Sequence, residues 1–318
     1  MTCTLADAVG SIFWRLDFAP RLAAMLAGAL CGLLSGVLVL RRSAMLGDAI
    51  SHAVLPGLVI AFLLTGTRSV GPMLIGAALA GVLAVGMIEA LRRLARVEAG
   101  AATGVVFSVF FALGVVLINA HADAIDLDPG CVLYGSLEGL RWPGLNSPSN
   151  LLNIETLTNT PRPIATLAAT LAVTLVLLAG GFKLLRLWCF DAGLMASLGL
   201  RPGLVGCIVI ALVAAATVAS FEAVGSILVV ALLACPGAAA RHLTDRFGSH
   251  LLLSTLLAVL AAVAGYTLAV WGPGLFGHPH AVSAPGMIAV CSGVILLVCV
   301  LGRMVRKKLL ALSPRHFA

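Results

Sequence analysis

Two apolar runs on either side of an arginine pair decide the fold of this chain. Residues 20–64 read PRLAAMLAGALCGLLSGVLVLRRSAMLGDAISHAVLPGLVIAFLL. Each run is close to the length of about 20 residues that crosses the hydrocarbon core of a bilayer as a helix. Basic residues such as those at 41–42 are typical of the short connections between membrane spans. The stretch therefore predicts two successive membrane-spanning helices.

The composition extends this pattern to the whole chain. Of 318 residues, 61% are hydrophobic and 10% are charged, and the mean hydropathy is +1.11. A soluble domain is about 45–50% apolar and about 25% charged. The composition thus excludes a soluble enzyme, a disulfide-stapled secreted domain and a disordered protein. The alternating segments of about ten residues that mark a membrane β-barrel are also absent. The predicted class is all-α, a polytopic transmembrane helical bundle forming a single domain over residues 1–318.

Nine spans are predicted. They are Pro20–Leu40, Ala44–Leu64, Val70–Leu91, Gly104–Ala120, Ile164–Phe182, Gly203–Ser220, Ala223–Ala240, Leu251–Trp271 and Pro285–Val305. The break at Phe221–Glu222 is placed where a glutamate interrupts an otherwise continuous apolar run.

The basic residues segregate to one side of this arrangement. Of the 20 Lys and Arg, five fall on one side and the remaining fifteen on the other. The five are Arg15, Arg21, Arg68, Arg141 and Arg162. Because cytoplasmic loops carry the excess of basic residues, the N-terminus is expected outside and the C-terminus in the cytoplasm. The net charge of +7 then reflects membrane topology, so we expect membrane lipid and no nucleic acid as a partner.

Two connections are long enough to carry structure of their own. Residues 121–163 are expected to form an exposed extracytoplasmic loop, rich in Pro, Asn and Thr in its second half. Residues 183–202 are amphipathic and too charged to span, which predicts a small surface helix on the cytoplasmic side.

An aspartate and a histidine in the second span are the leading candidates for chemistry. Asp48 and His52 are four residues apart, so they share one face of a helix. His52 lies ten residues past Arg42, about 15 Å along a helix axis, which places it near the bilayer midplane. A carboxylate with an imidazole is half of a site for manganese, iron or zinc. The other ligands would come from a second copy, a paralogous subunit or another helix. The alternative is a buried Asp–His hydrogen bond that only stabilises packing.

Other acidic residues have simpler interpretations. Glu89 is expected to pair with Arg93 on the same helix. Glu222 either faces an outer mouth or caps the following helix, and the capping role is favoured. Asp123, Asp126 and Asp128 make the outer loop acidic, and a solvated loop is favoured over a mouth that attracts cations.

Three longer motifs carry a resemblance to a known family. They are GDAISHAVLPG at 47–57, FDAGLMASLGL at 190–200, and AVGSILVVALL at 223–233 followed by Pro236, Ala240 and Arg241. With them, the chain resembles the membrane permease subunit of zinc, manganese and iron uptake ABC transporters, the ABC-3 family. The outer stretch DLDPGCVLYG at 126–135 is similar to manganese-type members.

The resemblance implies an importer-like fold of ABC type II in the inner membrane of a prokaryote. It implies a second permease copy or paralogue, ABC ATPase subunits and an extracytoplasmic metal-binding protein as partners. It places Asp48 and His52 on the metal path. It assigns contact with the ATPase to the segment that contains Phe190, Asp191, Ala196 and Gly199.

The chain is not expected to be an enzyme, since it contains no G-x-x-x-x-G-K-[ST] phosphate-binding run. Any ATP hydrolysis would belong to a partner, and no permanently bound cofactor is expected, only the transported ion. Two alternatives stay open from the residues alone. One is an ion-coupled secondary metal transporter, and the other is an ABC permease for an iron chelate.

Overall fold

The structure is a computed structural model that describes residues 13–41, 43–66, 70–120, 137–145, 158–275 and 282–312. Within these ranges the chain is entirely helical and contains no strand. A π-helical turn, Phe13–Asp17, precedes the first long helix, and a short 3-10 helix lies at Leu137–Gly139.

Eleven α-helices follow one another in the described residues. They are α1 Phe18–Leu40, α2 Ala44–Thr65, α3 Val70–Leu94, α4 Ala99–Ala120, α5 Arg162–Gly180, α6 Phe182–Phe190, α7 Ala192–Ser197, α8 Pro202–Val224, α9 Ser226–Leu243, α10 Phe247–Leu275 and α11 Ala284–Leu312.

The long helices agree with the predicted spans. Eight of them, all except α2, are long and apolar enough to cross a membrane by length and composition. Helix α2 coincides with the remaining predicted span and carries a shorter apolar stretch, His52–Thr65. The all-helical class is confirmed, while the count of nine spans and the orientation stay predictions.

Large apolar side chains on the outer surface explain why this bundle requires a membrane. On α3, Ile75, Leu79 and Leu83 form a stripe at four-residue spacing, and each is between 59% and 66% exposed. On α4 and α5, Val116 and Val176 are similarly exposed. A water-soluble surface does not carry continuous apolar stripes of this kind, whereas lipid chains solvate them.

Helix α1 is the centre of the larger of two hydrophobic cores. In the apolar stretch of α1, 72% of the residues are buried, against 22% in the corresponding stretches of α3, α4 and α5. Leu30 and Leu34 of α1 lie in one core with Leu228 and Leu232 of α9 and Ile288 of α11.

The smaller core belongs to three consecutive helices, α2, α3 and α4. Its buried residues are Ala49, Ala53, Ala84, Ile88, Ala102, Val106 and Phe110. We call this second packing cluster the α2–α4 unit; Val54 of α2 and Ala77 of α3 connect it to the larger core, to which they belong.

Glycines on α1 bring α10 to backbone contact, as their four-residue spacing predicts. A Cβ on Gly32 would lie 2.5 Å from the Cβ of Ala258 and 3.0 Å from the carbonyl of Ser254. The Ser254 hydroxyl donates to the Gly32 carbonyl, and His250 Nε2 lies 3.1 Å from the carbonyl of Gly36. Small residues let membrane helices approach closely enough for such interhelical bonds.

The predicted break at Phe221–Glu222 is wrong. Helix α8 continues to Val224, and the chain turns at Gly225, whose φ of 76° and ψ of 168° suit only glycine. Gly225 is also the N-cap residue of α9, without a side-chain hydrogen bond. Glu222 therefore lies inside α8 and does not cap the following helix.

The described central part of the predicted loop 121–163, residues 137–145, is largely exposed but is attached to the bundle by a few buried side chains. Leu137, Leu140 and Leu145 are buried, and Trp142 packs 6.4 Å from Phe18, ring centre to ring centre. The Glu138 carboxylate accepts a hydrogen bond of 2.8 Å from the amide of Ala284, the first residue of α11. This piece of chain is thus tied to the ends of α1 and α11.

We expect Gly32→Ala to lower the free energy of unfolding by about 1–3 kcal/mol, because its methyl group overpacks a contact made with backbone. A thermal melt of the purified protein in detergent measures this. Gly302→Ala is the matched control, since nothing lies within 4 Å of a Cβ at that position. Equal melting temperatures for the two variants would contradict the close packing of α1 and α10.

Candidate functional site

Helix α2 carries the proposed ion ligands, and its ends are defined by local bonds. Before its first turn, the Ser43 amide donates to the Leu38 carbonyl at 3.0 Å. At its end, Gly66 adopts φ +63° and donates to Phe62 at 2.8 Å. Pro56 lies inside the helix, and it has no N–H to donate to the carbonyl of His52 one turn earlier.

His52 lies on the side of α2 that faces α4. Its half-buried imidazole meets Phe107 edge-on at 4.8 Å and Phe111 at 5.6 Å, centre to centre. The two phenyl rings are themselves stacked at 6.2 Å. These aromatic contacts restrict the orientation of the imidazole, which a metal ligand requires.

Asp48 precedes His52 by one turn of the same helix, so the two residues share a face. Its side chain lies outside the part of the structure that is described. The helix around it is well packed, since Gly47 lies against Leu38 of α1 and Leu233 of α9. Among the side chains described, no three His, Cys, Asp or Glu residues lie close enough together to hold a metal ion. The assignment of Asp48 and His52 as ligands stays a prediction.

The small residues of the GDAISHAVLPG motif pack the α2–α4 unit. Ala49 and Ala53 belong to its core. A Cβ on Gly57 would collide with the carbonyl of Gly76, and a Cβ on Gly76 would meet the carbonyl of Gly57. Within this motif, Ala49, Ala53 and Gly57 serve helix packing, and Asp48 and His52 are its two ionisable residues.

The segment over 183–202 forms two short helices, α6 and α7, rather than the single helix expected. Asp191 joins them as the N-cap of α7, and its Oδ1 accepts a hydrogen bond of 2.8 Å from the Leu194 amide. Gly199 ends α7 with φ +77°. Its amide bonds Ala196, and the next amide, Leu200, bonds Met195, which is a Schellman motif.

The side chains of this segment differ in exposure. Met195 is buried and holds α7 against the bundle. Phe190 is 57% exposed, and its ring lies 6.2 Å from Phe247 at the start of α10. Ala196 and Gly199 are exposed. The predicted coupling residues Phe190, Asp191, Ala196 and Gly199 are thus all exposed.

One contact at this segment was not predicted from the sequence. The Arg41 guanidinium lies 4.3 Å above the centre of the Trp188 ring, and Arg41 Nη1 donates to the Trp188 carbonyl at 3.1 Å. The sequence shows only a tryptophan in an amphipathic segment and an arginine at the end of an apolar run. Neither residue indicates the other as its partner.

The neighbouring Cys189 is a neutral thiol. Burial raises its pKa to about 12, although the Arg41 guanidinium acts in the opposite direction. A protonated thiol is a poor metal ligand, so Cys189 is not a candidate for the ion site.

The acidic residues of the predicted outer mouth are only partly placed. Asp123, Asp126 and Asp128 lie outside the described residues. Glu222 is exposed, and its carboxylate interacts electrostatically with Arg162 at the start of α5. Glu89 forms an ion pair of 3.1 Å with Arg92. The expected pair with Arg93 stays a prediction, because the Arg93 side chain lies outside the described residues.

Long apolar helices with exposed apolar stripes define a multi-pass membrane protein. The chain belongs to the ABC 3 transport family, whose profile matches residues 18–142 and 151–303. It is accordingly a multi-pass protein of the prokaryotic plasma membrane.

Relatives and a solved structure agree with this assignment. The manganese transport system membrane protein MntD of Bacillus subtilis is 37% identical over 85% of this chain and 86% of its own length. The zinc transport system membrane protein TroD of Treponema pallidum is 35% identical over 93% of this chain and 73% of its own. The structure of PsaBC from Streptococcus pneumoniae superimposes with a TM-score of 0.72 and 25% identity, covering 93% of this chain and 95% of that one.

We expect Asp191→Ala to destabilise α7 by about 1 kcal/mol, because the first turn loses its side-chain cap. Hydrogen exchange of the amides of residues 193–198 measures this as faster exchange. Asp191→Asn keeps an acceptor oxygen and should exchange like the wild type. Equal protection in the Ala variant would show that the cap does not hold this turn.

Proposed function

We propose that this chain is the membrane-spanning permease of an ATP-dependent importer for a divalent transition metal ion: manganese, zinc or iron. The observation that carries the proposal is the pair Asp48 and His52, one turn apart in an otherwise apolar helix. Charged groups in such helices are expensive and mark ion pathways. The manganese and zinc transport assigned to MntD and TroD by name supports the same substrate class.

The chemistry of the pair suits a bare ion in transit. A carboxylate and a neutral imidazole are ligands that manganese, iron and zinc all accept. Two ligands from one chain hold an ion weakly, and a second permease copy or a paralogue facing the first would supply another pair. Weak and incomplete coordination by each subunit allows the ion to leave when the helices separate.

The surroundings of His52 suit a role in ligation. Phe107 and Phe111 of α4 hold the imidazole in one orientation, and their phenyl rings supply no polar ligand that would compete for the ion.

Energy would come from ABC ATPase subunits on the cytoplasmic side. The chain itself contains no phosphate-binding run for ATP. The exposed segment with Phe190, Asp191, Ala196 and Gly199 is the proposed ATPase contact, and an extracytoplasmic metal-binding protein would deliver the ion to the opposite face. The 15-to-5 distribution of basic residues supports a cytoplasmic position for that segment.

The test is uptake of radioactive Mn²⁺ or Zn²⁺ into proteoliposomes that contain this chain with its ATPase and binding protein. We expect His52→Ala and Asp48→Asn each to reduce ATP-dependent uptake by at least about tenfold, the scale on which metal sites respond to loss of a ligand or its support. Uptake of the metal ion should require ATP hydrolysis.

The matched controls are His242→Ala and Asp245→Asn at the cytoplasmic end of α9. Both should transport like the wild type at equal protein level. Full uptake by the α2 variants would contradict the proposed ion path. Uptake by this chain alone, driven by an ion gradient without an ATPase, would identify a secondary transporter. Uptake of a chelate with no competition by free Mn²⁺ or Zn²⁺ would identify a chelate permease.

A further inference from the structure

Trp188 of α6 is held between two helices of the bundle. The ring is only 8% exposed, and the Arg41 guanidinium lies on its face at 4.3 Å. On α8, a Cβ at Gly206 would lie 3.4 Å from Cζ2 of the same ring. The hydrogen bond from Arg41 to the Trp188 carbonyl adds a second link to the same residue. Helix α6 therefore cannot shift at Trp188 without displacing Arg41.

Arg41 lies where the chain passes from α1 into α2. The connection is short and hydrogen-bonded, with the Arg41 amide on Val37 at 3.2 Å and the Ser43 amide on Leu38 at 3.0 Å. The Ser43 hydroxyl also donates to Leu38 at 3.2 Å. Because the connection is short and hydrogen-bonded, a displacement of Arg41 is transmitted to the first turn of α2.

The same point is a boundary between the two hydrophobic cores. Helix α1 belongs to the larger core, whereas α2 contributes to both cores, with Val54 in the larger one and Ala49 and Ala53 in the α2–α4 unit. The other aromatic contacts of α6 reach only the larger core, where Phe182 and Phe190 pack on Phe247 of α10. The Arg41–Trp188 contact thus attaches α6 to the connection just before α2, the first helix of the α2–α4 unit.

We propose that the contact between Arg41 and Trp188 transmits movement of the ATPase-binding segment to helix α2 and so to the ion ligands it carries. Arg41 and Trp188 are positioning residues in this proposal, since neither touches the ion. The inference rests on the proposed function, in which ATP hydrolysis at the cytoplasmic face changes access to Asp48 and His52.

The chemistry of the contact determines which substitutions should weaken it. A guanidinium stacks flat on an indole and donates at the same time, whereas an ammonium group does so less well. Phenylalanine keeps a smaller ring face, and leucine keeps only apolar volume. The expected order of coupling is wild type, then Arg41→Lys and Trp188→Phe, then Arg41→Gln and Trp188→Leu.

The experiment measures metal ions transported per ATP hydrolysed, in proteoliposomes with the complete complex. We expect Arg41→Gln and Trp188→Leu to lower this ratio by about three- to tenfold, the range that a lost cation–π contact allows, while ATP hydrolysis continues. Arg306→Gln, an exposed arginine of α11 outside the ATPase-binding segment, is the control and should leave the ratio unchanged.

A merely structural role gives a different pattern. It would lower transport and ATP hydrolysis in parallel, together with the melting temperature, and the ratio would stay at the wild-type value. The double variant Arg41→Gln/Trp188→Leu should be no worse than either single variant, since both remove one contact. Additive losses in the double variant would overturn the proposal.

The outcome for the wild type separates the two proposals. If the wild-type complex transports no divalent metal, the proposed function fails. If it transports metal and Arg41→Gln has an unchanged ratio of ions to ATP, only the inference about Arg41 and Trp188 fails. Arg41→Lys keeps the positive charge but stacks less well on the indole. At unchanged protein level, a ratio of ions to ATP between those of the wild type and Arg41→Gln would therefore support the contact rather than the charge alone.

Discussion

The rest of the structure depends on the close approach of α1 to its neighbours. Lipid offers no hydrophobic driving force between helices, so association relies on shape and on bonds between them. Gly28, Gly32 and Gly36 give α10 access to the backbone of α1. On another side of the helix, the Ser35 hydroxyl accepts a hydrogen bond of 3.0 Å from the Gly237 amide of α9. Helix α1 is buried by these contacts and forms the fixed centre of the larger core.

A fixed α1 has a consequence for the helix that follows it. Helix α2 begins after a short hydrogen-bonded turn, yet its buried alanines pack with α3 and α4 in a separate core. The helix with the proposed ion ligands thus connects the two cores, since Val54 belongs to the larger one and Ala49 and Ala53 to the smaller one. An importer of the kind we propose needs such an arrangement, because access to the ion must change while the bundle stays folded.

Much of the fold could be predicted from the sequence because apolar length and basic residues are local signals. Each predicted span overlaps one long helix of the described structure. The break near 222 was misplaced, because an exposed glutamate beside Arg162 is tolerated in a helix, while the turn requires the backbone freedom of Gly225. Burial of Leu137 and Leu145 depends on tertiary contacts that no local pattern reveals.

The candidate site could likewise be predicted only in part from the sequence. Asp48 and His52 could be selected from their spacing alone, and the cap made by Asp191 agrees with its place between two helices. The partners of His52, Phe107 and Phe111, lie on another helix and follow from the packing of α2 against α4. The contact of Arg41 with Trp188 joins residues 147 positions apart, so it could be found only from the structure.

The central claim is that the imidazole of His52 binds the transported ion, and electron spin echo spectroscopy of Mn²⁺ tests it most directly. The sample is the complete complex, arrested with a hydrolysis-deficient ATPase partner and loaded with Mn²⁺. The account predicts nitrogen modulation from a coordinated imidazole in the wild type and its loss in His52→Ala. Bound Mn²⁺ without nitrogen modulation, or the same modulation in His52→Ala, would contradict it.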